Sequence, residues 1–216
     1  MTSFLVFAGG YAYNNTRDVE EDLINRKNIS PLAPKRKGLV IVTVSLISGI
    51  FFSLFLSTYS IVLIATSILT LVVYSFLKLK KYLLLKNVYT AFCIALSFLI
   101  GAASSGLFTL EITIYYCLVV FFLFIGSLIS DMRDYEGDKK AGIRTLPVHL
   151  GYERTRNMVC ALLVVGIPLV LIFSKFMVFI PVILMTVLAV LKNRPGLAHA
   201  LGGLSFVLLM LIALIF

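Results

Sequence analysis

Leu118-Val-Val-Phe-Phe-Leu-Phe-Ile-Gly-Ser-Leu-Ile-Ser-Asp131-Met-Arg-Asp134-Tyr-Glu-Gly-Asp138 decides how this chain must be read. An apolar run long enough to lie in lipid ends directly in a cluster of carboxylates, at the depth where an uncompensated charge becomes expensive. The same junction occurs near the start, where the apolar stretch 1–17 leads into Asp18-Val-Glu-Glu-Asp22. These two stretches hold eight of the ten acidic residues and all five aspartates. Carboxylates gathered so closely in a basic, apolar chain need a cation to hold them. A divalent metal with a phosphate-bearing ligand is the simplest candidate, because Mg²⁺ is usually bound through a few carboxylates together with substrate phosphate oxygens.

Composition extends that reading to the whole chain. Hydrophobic residues make up 60%, charged residues 13%, and the mean hydropathy is +1.04, against about a quarter charged in an average soluble domain. Apolar runs lie at 1–17, 38–57, 59–77, 88–107, 111–130, 155–173, 176–191 and 197–216, each close to the roughly 20 residues that cross a bilayer. Backbone groups in lipid must be satisfied within the segment, and the runs lack the alternation of barrel strands. The expected fold is therefore all-α: a polytopic transmembrane helical bundle of about eight helices, 1–216 forming one domain.

The net charge of +9 does not point to nucleic acid, because the basic residues are sorted by side. Segments 17–37, 78–86, 133–156 and 192–194 carry eighteen of the nineteen Lys and Arg, leaving Lys175 opposite. That asymmetry makes the basic side cytoplasmic, and both acidic clusters lie on it. An even helix count then puts both termini outside. Residues 1–17 do not read as a signal peptide, since no basic region precedes them and no small-residue cleavage site follows. Cys93, Cys117 and Cys160 sit in apolar runs without CxxC spacing and read as packing residues. His149 and His199 lie near helix starts and form no ligand pair. Gly9-Gly10 and Gly202-Gly203 allow close helix approach, within the bundle or between copies, and the sequence leaves the oligomeric state open.

Helical spacing sharpens the two acidic motifs. Asn14, Asp18 and Asp22 fall at i, i+4, i+8 on one face, with Asn15 at its edge, while Glu20 and Glu21 point towards Arg17, Arg26 or solvent. Asp131, Asp134 and Asp138 fall at i, i+3, i+7 and are followed by Lys139, Lys140 and Arg144. Carboxylates stacked on one face repel one another, and a bound cation reverses the sign of that term. Each motif alone is also compatible with a solvated helix end. Prolines 31 and 34 break the basic loop after the first motif, and Gly142 and Pro147 break any helix continuing from the second. At the basic end of the third run, Tyr74-Ser-Phe-Leu-Lys78-Leu-Lys-Lys81 places Lys78 and Lys81 on one face, within reach of a diphosphate or simply anchoring the helix.

These residues resemble a known family. Asn14-Asn-Thr-Arg-Asp18-Val-Glu-Glu-Asp22 is similar to the NDxxDxxxD motif of the UbiA intramembrane prenyltransferases. Asp131 to Pro147 resembles their DxxDxxxD motif with its GxxTLP tail, and Tyr74 to Lys78 their YxxxK element. The resemblance covers nearly the whole chain in order and spacing. It implies a helical bundle around a central cavity open to the cytoplasmic side, binding Mg²⁺ and a polyprenyl diphosphate donor and passing the prenyl group to an aromatic or hydroxyl lipid acceptor. It implies metal ligands Asn14, Asp18, Asp22, Asp131, Asp134 and Asp138, with Asp18, Asp22, Asp134 and Asp138 catalytic. Asn14, Asn15, Arg17, Tyr74, Lys78, Lys139 and Arg144 would contact substrate, and Tyr11, Tyr13 and Tyr74 would face the allylic cation or serve as ordinary core aromatics. Two departures stand out: Asn15 replaces an aspartate, and the segment that usually precedes the first motif is absent, so that eight helices are expected where the family has nine.

Three readings remain open at this point. The first is Mg²⁺-dependent prenyl transfer to a lipid-quinone precursor or an ether-lipid glycerol phosphate. The second is a catalytically impaired relative acting as a partner subunit. The third is a cation-coupled transporter, disfavoured because transporter sites lie near the bilayer midplane at discontinuous helices.

Overall fold

The computed structural model describes residues 2–17, 35–77, 82–107, 109–172 and 174–215, without the side chains of 14, 15, 17, 35, 75, 174–176 and 206–215. These residues are helical almost throughout: α1 (Thr2–Arg17), α2 (Lys35–Ser53), α3 (Thr58–Phe76), α4 (Leu85–Ser104), α5 (Leu110–Arg133), α6 (Tyr135–Lys140), α7 (Leu146–Leu150), α8 (Tyr152–Leu171), a 3₁₀ segment (Ser174–Phe179), α9 (Ile180–Leu191) and α10 (Pro195–Ile215). Among the described residues, Arg36–Ser53 and helices α4, α5 and α8 are each long and apolar enough to cross a membrane. Val40, Val44, Ile47 and Phe51 of α2 are all exposed at helical spacing, a stripe that lipid, not water, must cover. The protein is an all-α, multi-pass integral membrane protein.

The chain forms two compact units, Met1–Val120 and Phe121–Phe216. In the first, α1 lies along α2, and glycines set how closely. A Cβ at Gly49 would stand 2.8 Å from a Val6 methyl, and one at Gly9 would stand 3.2 Å from Ser45 and Leu46. A Cβ at Gly10 would meet Leu71 of α3 at 2.6 Å. In lipid there is no hydrophobic drive between helices, so small residues that permit close van der Waals contact hold them together. The Gly9-Gly10 pair thus serves packing inside this unit, while Gly202 and Gly203 face open space among the described residues. Val6, Ile64 and Ile100 form the buried centre, with Leu56, Leu63, Ile68 and Leu71 against it.

Hydroxyls join α3 to α4 at the end away from the basic loops. Ser57 caps α3 by accepting from the Ser60 amide and donates to the Ala103 carbonyl at 3.1 Å. The fully buried Ser60 hydroxyl meets Ser104 at 3.0 Å, and Ser104 bonds back to the Ile100 carbonyl. Each of these three hydroxyls, which apolar packing would otherwise penalise, thus has a partner.

In the second unit, α9 packs on α8 and α10, and Gly166 of α8 receives the Phe122 ring, whose edge lies 2.8 Å from where a Cβ would stand. After α5 the helical face expected from 131 to 138 continues, since residues 135–140 are helical, and beyond the turn at Gly142 Pro147 stands in the first turn of a new helix, α7, as its fixed φ and missing N–H allow. Gly142 does terminate α6, and the geometry gives the reason. Its φ is +67°, the Ile143 amide bonds the Asp138 carbonyl at 2.9 Å, and the Gly142 amide bonds Lys139. This is the paired closure of a Schellman motif, with glycine at the left-handed position.

Gly49→Leu is expected to force α1 away from α2 and to destabilise the protein by about 1–3 kcal/mol, whereas Gly202→Leu leaves stability unchanged; thermal unfolding in lipid nanodiscs distinguishes them. Gly142→Ala meets no atoms but strains the backbone by roughly 1 kcal/mol, a smaller fall in melting temperature on the same assay.

Candidate active site

The second acidic motif is built where α5 ends. The ladder of α5 carries past Arg133, since the Asp134 amide still bonds Ser130 at 3.0 Å and the Asp138 amide bonds Asp134 at 2.9 Å. Asp131, Asp134 and Asp138 therefore keep the shared helical face read from their spacing, despite a kink in which Asp134 sits at φ −90°, ψ 4°. Their environments differ. Asp131 and Asp138 are each 5% exposed, whereas Asp134 is partly exposed and accepts from its neighbour: Arg133 Nε donates to Oδ1 at 2.9 Å and Nη2 to Oδ2 at 3.2 Å. A guanidinium fork on a carboxylate is the strongest common side-chain pairing.

The basic residues after the motif are ordered in part by aromatic rings. Lys139 holds its ammonium 5.7 Å from the centre of the Tyr135 ring, and Tyr135 packs against Tyr152 of α8 with ring centres 5.5 Å apart. Arg144 is exposed on the turn that Gly142 starts. Thr145, next along, is 1% exposed, and its Oγ1 has no hydrogen-bond partner among the described residues. The two buried carboxylates at the helix end, and the orphaned hydroxyl oxygen of Thr145 further along the motif's tail, are hard oxygen donors, the chemistry that Mg²⁺ selects. Among the described residues no three His, Cys, Asp or Glu side chains converge closely enough to hold a metal by themselves.

The first motif begins on the last turn of α1, which carries the backbone of Asn14, Asn15 and Arg17. Their side chains lie outside the description, as do Asp18, Asp22 and Lys78 entirely. Tyr74 is described. Its ring stacks on Tyr89 of α4 at 5.7 Å between centres with planes inclined by 26°, and the Tyr89 hydroxyl donates to the Thr70 carbonyl at 2.9 Å. Tyr11 is exposed.

Several residues near these groups gave no signal in the sequence. Tyr89 sits in the run 88–107, read only as a span, and Asn87, 1% exposed at the start of α4, falls just outside that run. His199 lies within electrostatic range of Arg133 and Asp134, although it reads as isolated along the chain. Arg156 of α8 forms an ion pair with Glu153 and donates to Asn193 Oδ1 at 3.2 Å.

Known proteins match this arrangement along most of the chain. Residues 1–191 match the UbiA prenyltransferase family. Digeranylgeranylglyceryl phosphate synthase of Methanococcus aeolicus is 29% identical over 205 residues, covering 88% of this chain and 72% of that protein. The synthases of the same name from Sulfurisphaera tokodaii and Thermococcus kodakarensis are 30% and 33% identical over 70% of this chain, which spans little more than half of each, 56% and 55%. The structure of a UbiA homolog from Archaeoglobus fulgidus bound to DMAPP and Mg²⁺ superposes with a TM-score of 0.67 at 18% identity, over 94% of this chain and 86% of that one, a likeness of fold. The aspartate motifs, the helical membrane fold and the match over residues 1–191 lead to one conclusion: this chain belongs to the UbiA prenyltransferase family.

Proposed function

We propose that this protein transfers a polyprenyl group from its diphosphate to the hydroxyl of a glycerol-phosphate lipid, in a Mg²⁺-dependent reaction. The observation that carries this reading is the burial of Asp131 and Asp138 on one face of a helix end, in a motif whose tail closes on Gly142 and orphaned Thr145. In this reading residues 1–216 act as one prenyltransferase domain of about eight spanning helices around a central cavity open to the cytoplasmic side, where the basic loops and both acidic motifs lie. The acceptor class is supported by the synthases above, whose product name describes a glyceryl phosphate bearing two geranylgeranyl groups; adding the second such group is the matching reaction.

Asn14, Asp18 and Asp22 of the first motif and Asp131, Asp134 and Asp138 of the second would hold the metal, with Asn15 at the edge of the first face. When bound, Mg²⁺ supplies neutralisation of the charge that develops on the leaving diphosphate. Arg17, Lys78, Lys139 and Arg144 add fixed positive charge to the same oxygens, and such preorganised groups act most strongly where water is scarce. The allylic C–O bond breaks with its electron pair passing to the diphosphate. Apolar side chains keep water from the resulting cation, Tyr74 offers it an aromatic face, and the acceptor hydroxyl oxygen forms the new C–O bond while its proton passes to the released diphosphate.

The test is transfer of a radiolabelled geranylgeranyl group to geranylgeranylglyceryl phosphate by the full chain in lipid nanodiscs, with Mg²⁺ and with EDTA. Chelation abolishes transfer, and Asp138→Asn lowers it on the order of 10²-fold or more while helicity and melting temperature stay near wild type. Wild-type turnover by Asp138→Asn would refute the assigned role. Mg²⁺-dependent donor binding without transfer to any hydroxyl or aromatic acceptor would favour the partner-subunit reading instead.

A further inference from the structure

We propose that Tyr89 is a positioning residue for Tyr74, fixing the orientation in which the Tyr74 ring meets the reacting prenyl group. The inference rests on the prenyl-transfer reading above and goes beyond it, because Tyr89 belongs to none of the motifs that carry that reading.

Two contacts support it, and both reach the same turn of α3. The rings of Tyr74 and Tyr89 are stacked with centres 5.7 Å apart and planes inclined by 26°. The stack sets the plane of the Tyr74 ring, and with it the direction in which that ring can meet a cation. The Tyr89 hydroxyl donates to the Thr70 carbonyl at 2.9 Å, and in an α-helix the carbonyl of residue 70 is also the acceptor for the amide of residue 74. Tyr89 thus grips both the ring and the backbone turn that carries it. The Thr70 hydroxyl is turned back onto the Ser67 carbonyl at 2.8 Å, and the second lone pair of the Thr70 carbonyl accepts from Tyr89 of the neighbouring helix.

The energetic logic is that of preorganisation. A ring free to rotate about χ1 and χ2 meets the developing cation in only a fraction of its orientations, whereas a ring held from behind meets it in one. Offset aromatic stacks contribute about 0.5–1.5 kcal/mol beyond the area they bury, enough to select one ring orientation without reshaping the helix. Alignment of this kind shows itself in the rate of the chemical step more than in ground-state affinity. It also shows itself in the fate of the cation: a poorly shielded allylic cation is captured by water, giving the free prenyl alcohol, in place of capture by the acceptor hydroxyl.

The experiment measures kcat, the KM for geranylgeranyl diphosphate and the ratio of prenyl alcohol to transferred product for the full chain in nanodiscs. Tyr89→Leu, which removes both contacts, should lower kcat roughly tenfold or more with KM little changed, and shift products towards the alcohol. Tyr89→Phe keeps the stack and loses only the hydroxyl; it should fall by about two- to threefold, with a smaller shift in the same direction. A wild-type kcat and product ratio in Tyr89→Leu, beside an impaired Tyr74→Leu, would overturn the proposal. Should Tyr89→Leu fail to fold, Tyr89→Phe decides alone, and an unchanged product ratio there overturns it equally. Asp138→Asn run in parallel separates the two failures. If Asp138→Asn is inactive and Tyr89→Leu normal, only the positioning role is lost; if Asp138→Asn is fully active, the prenyl-transfer reading itself fails.

Discussion

Much in this protein follows from the cost of keeping a carboxylate at the edge of an apolar medium. Moving an ionised carboxylate out of water is among the largest single penalties a fold can carry, and proteins meet it with pairing, hydrogen bonds or a metal. Asp131 and Asp138 are nearly inaccessible at the end of a 24-residue apolar helix. A helix left to its own preferences would not place them there on one face, where like charges oppose each other. For Asp134 the answer is local. Arg133 takes Asp134 through both oxygens, and this relieves the middle charge of the three. The pairing also means that Asp134 can coordinate a cation through both oxygens only if Arg133 gives way. The three carboxylates share a face but not an environment.

Away from the charges, the fold is held by contacts that do not depend on water. Glycines at 9, 10 and 49 let α1 settle against α2 and α3, and serine hydroxyls at 57, 60 and 104 close the α3–α4 pair. Such contacts are short-ranged and specific, so they fix the register of α1 along α2. Since Asn14 and Asn15 occupy the last turn of α1, the starting point of the first motif is set by glycine packing about one to three helical turns away. Chemistry at the motif and packing in the span are thus coupled along a single rigid element.

The sequence revealed the architecture well because lipid leaves few options. Apolar runs near spanning length, separated by charged breaks, could only be helices, and the runs match the long helices to within a few residues at most ends. The acidic face of Asp131, Asp134 and Asp138 was likewise legible, because i, i+3, i+7 spacing survives the small kink at Asp134. What escaped was of two kinds. One helix start went unread: Pro147, which reads only as ending a helix, also opens α7, since proline is as suited to a first helical turn as it is hostile to a later one. Pairings between helices were invisible, because nothing in one chain tells which of the other nine tyrosines will stack on Tyr74, or that His199 comes within electrostatic range of Asp134. Periodicity reports the face of a helix, not its partner.

Two of the left-handed helix stops, at Gly142 and Asn193, show how the same backbone problem is solved with different side chains. At the end of α6 the αL residue is Gly142; at the end of α9 it is Asn193, with φ 52° and the same paired closure, Asn193 amide to Val190 and Arg194 amide to Ala189. Gly142 has no atoms nearby for a side chain to use, so glycine, which tolerates the conformation without cost, is the economical choice. Asn193 does have a use for its side chain. Asparagine tolerates αL better than most residues, and its amide oxygen accepts from Arg156, which also pairs with Glu153 one turn back. The first turn of α8 is thereby tied to the close of α9. Through Tyr152 and Tyr135 that same turn reaches Lys139, directly beside Asp138. A conformational choice at residue 193 is therefore linked, through one arginine and two rings, to the position of a cationic side chain at the acidic motif.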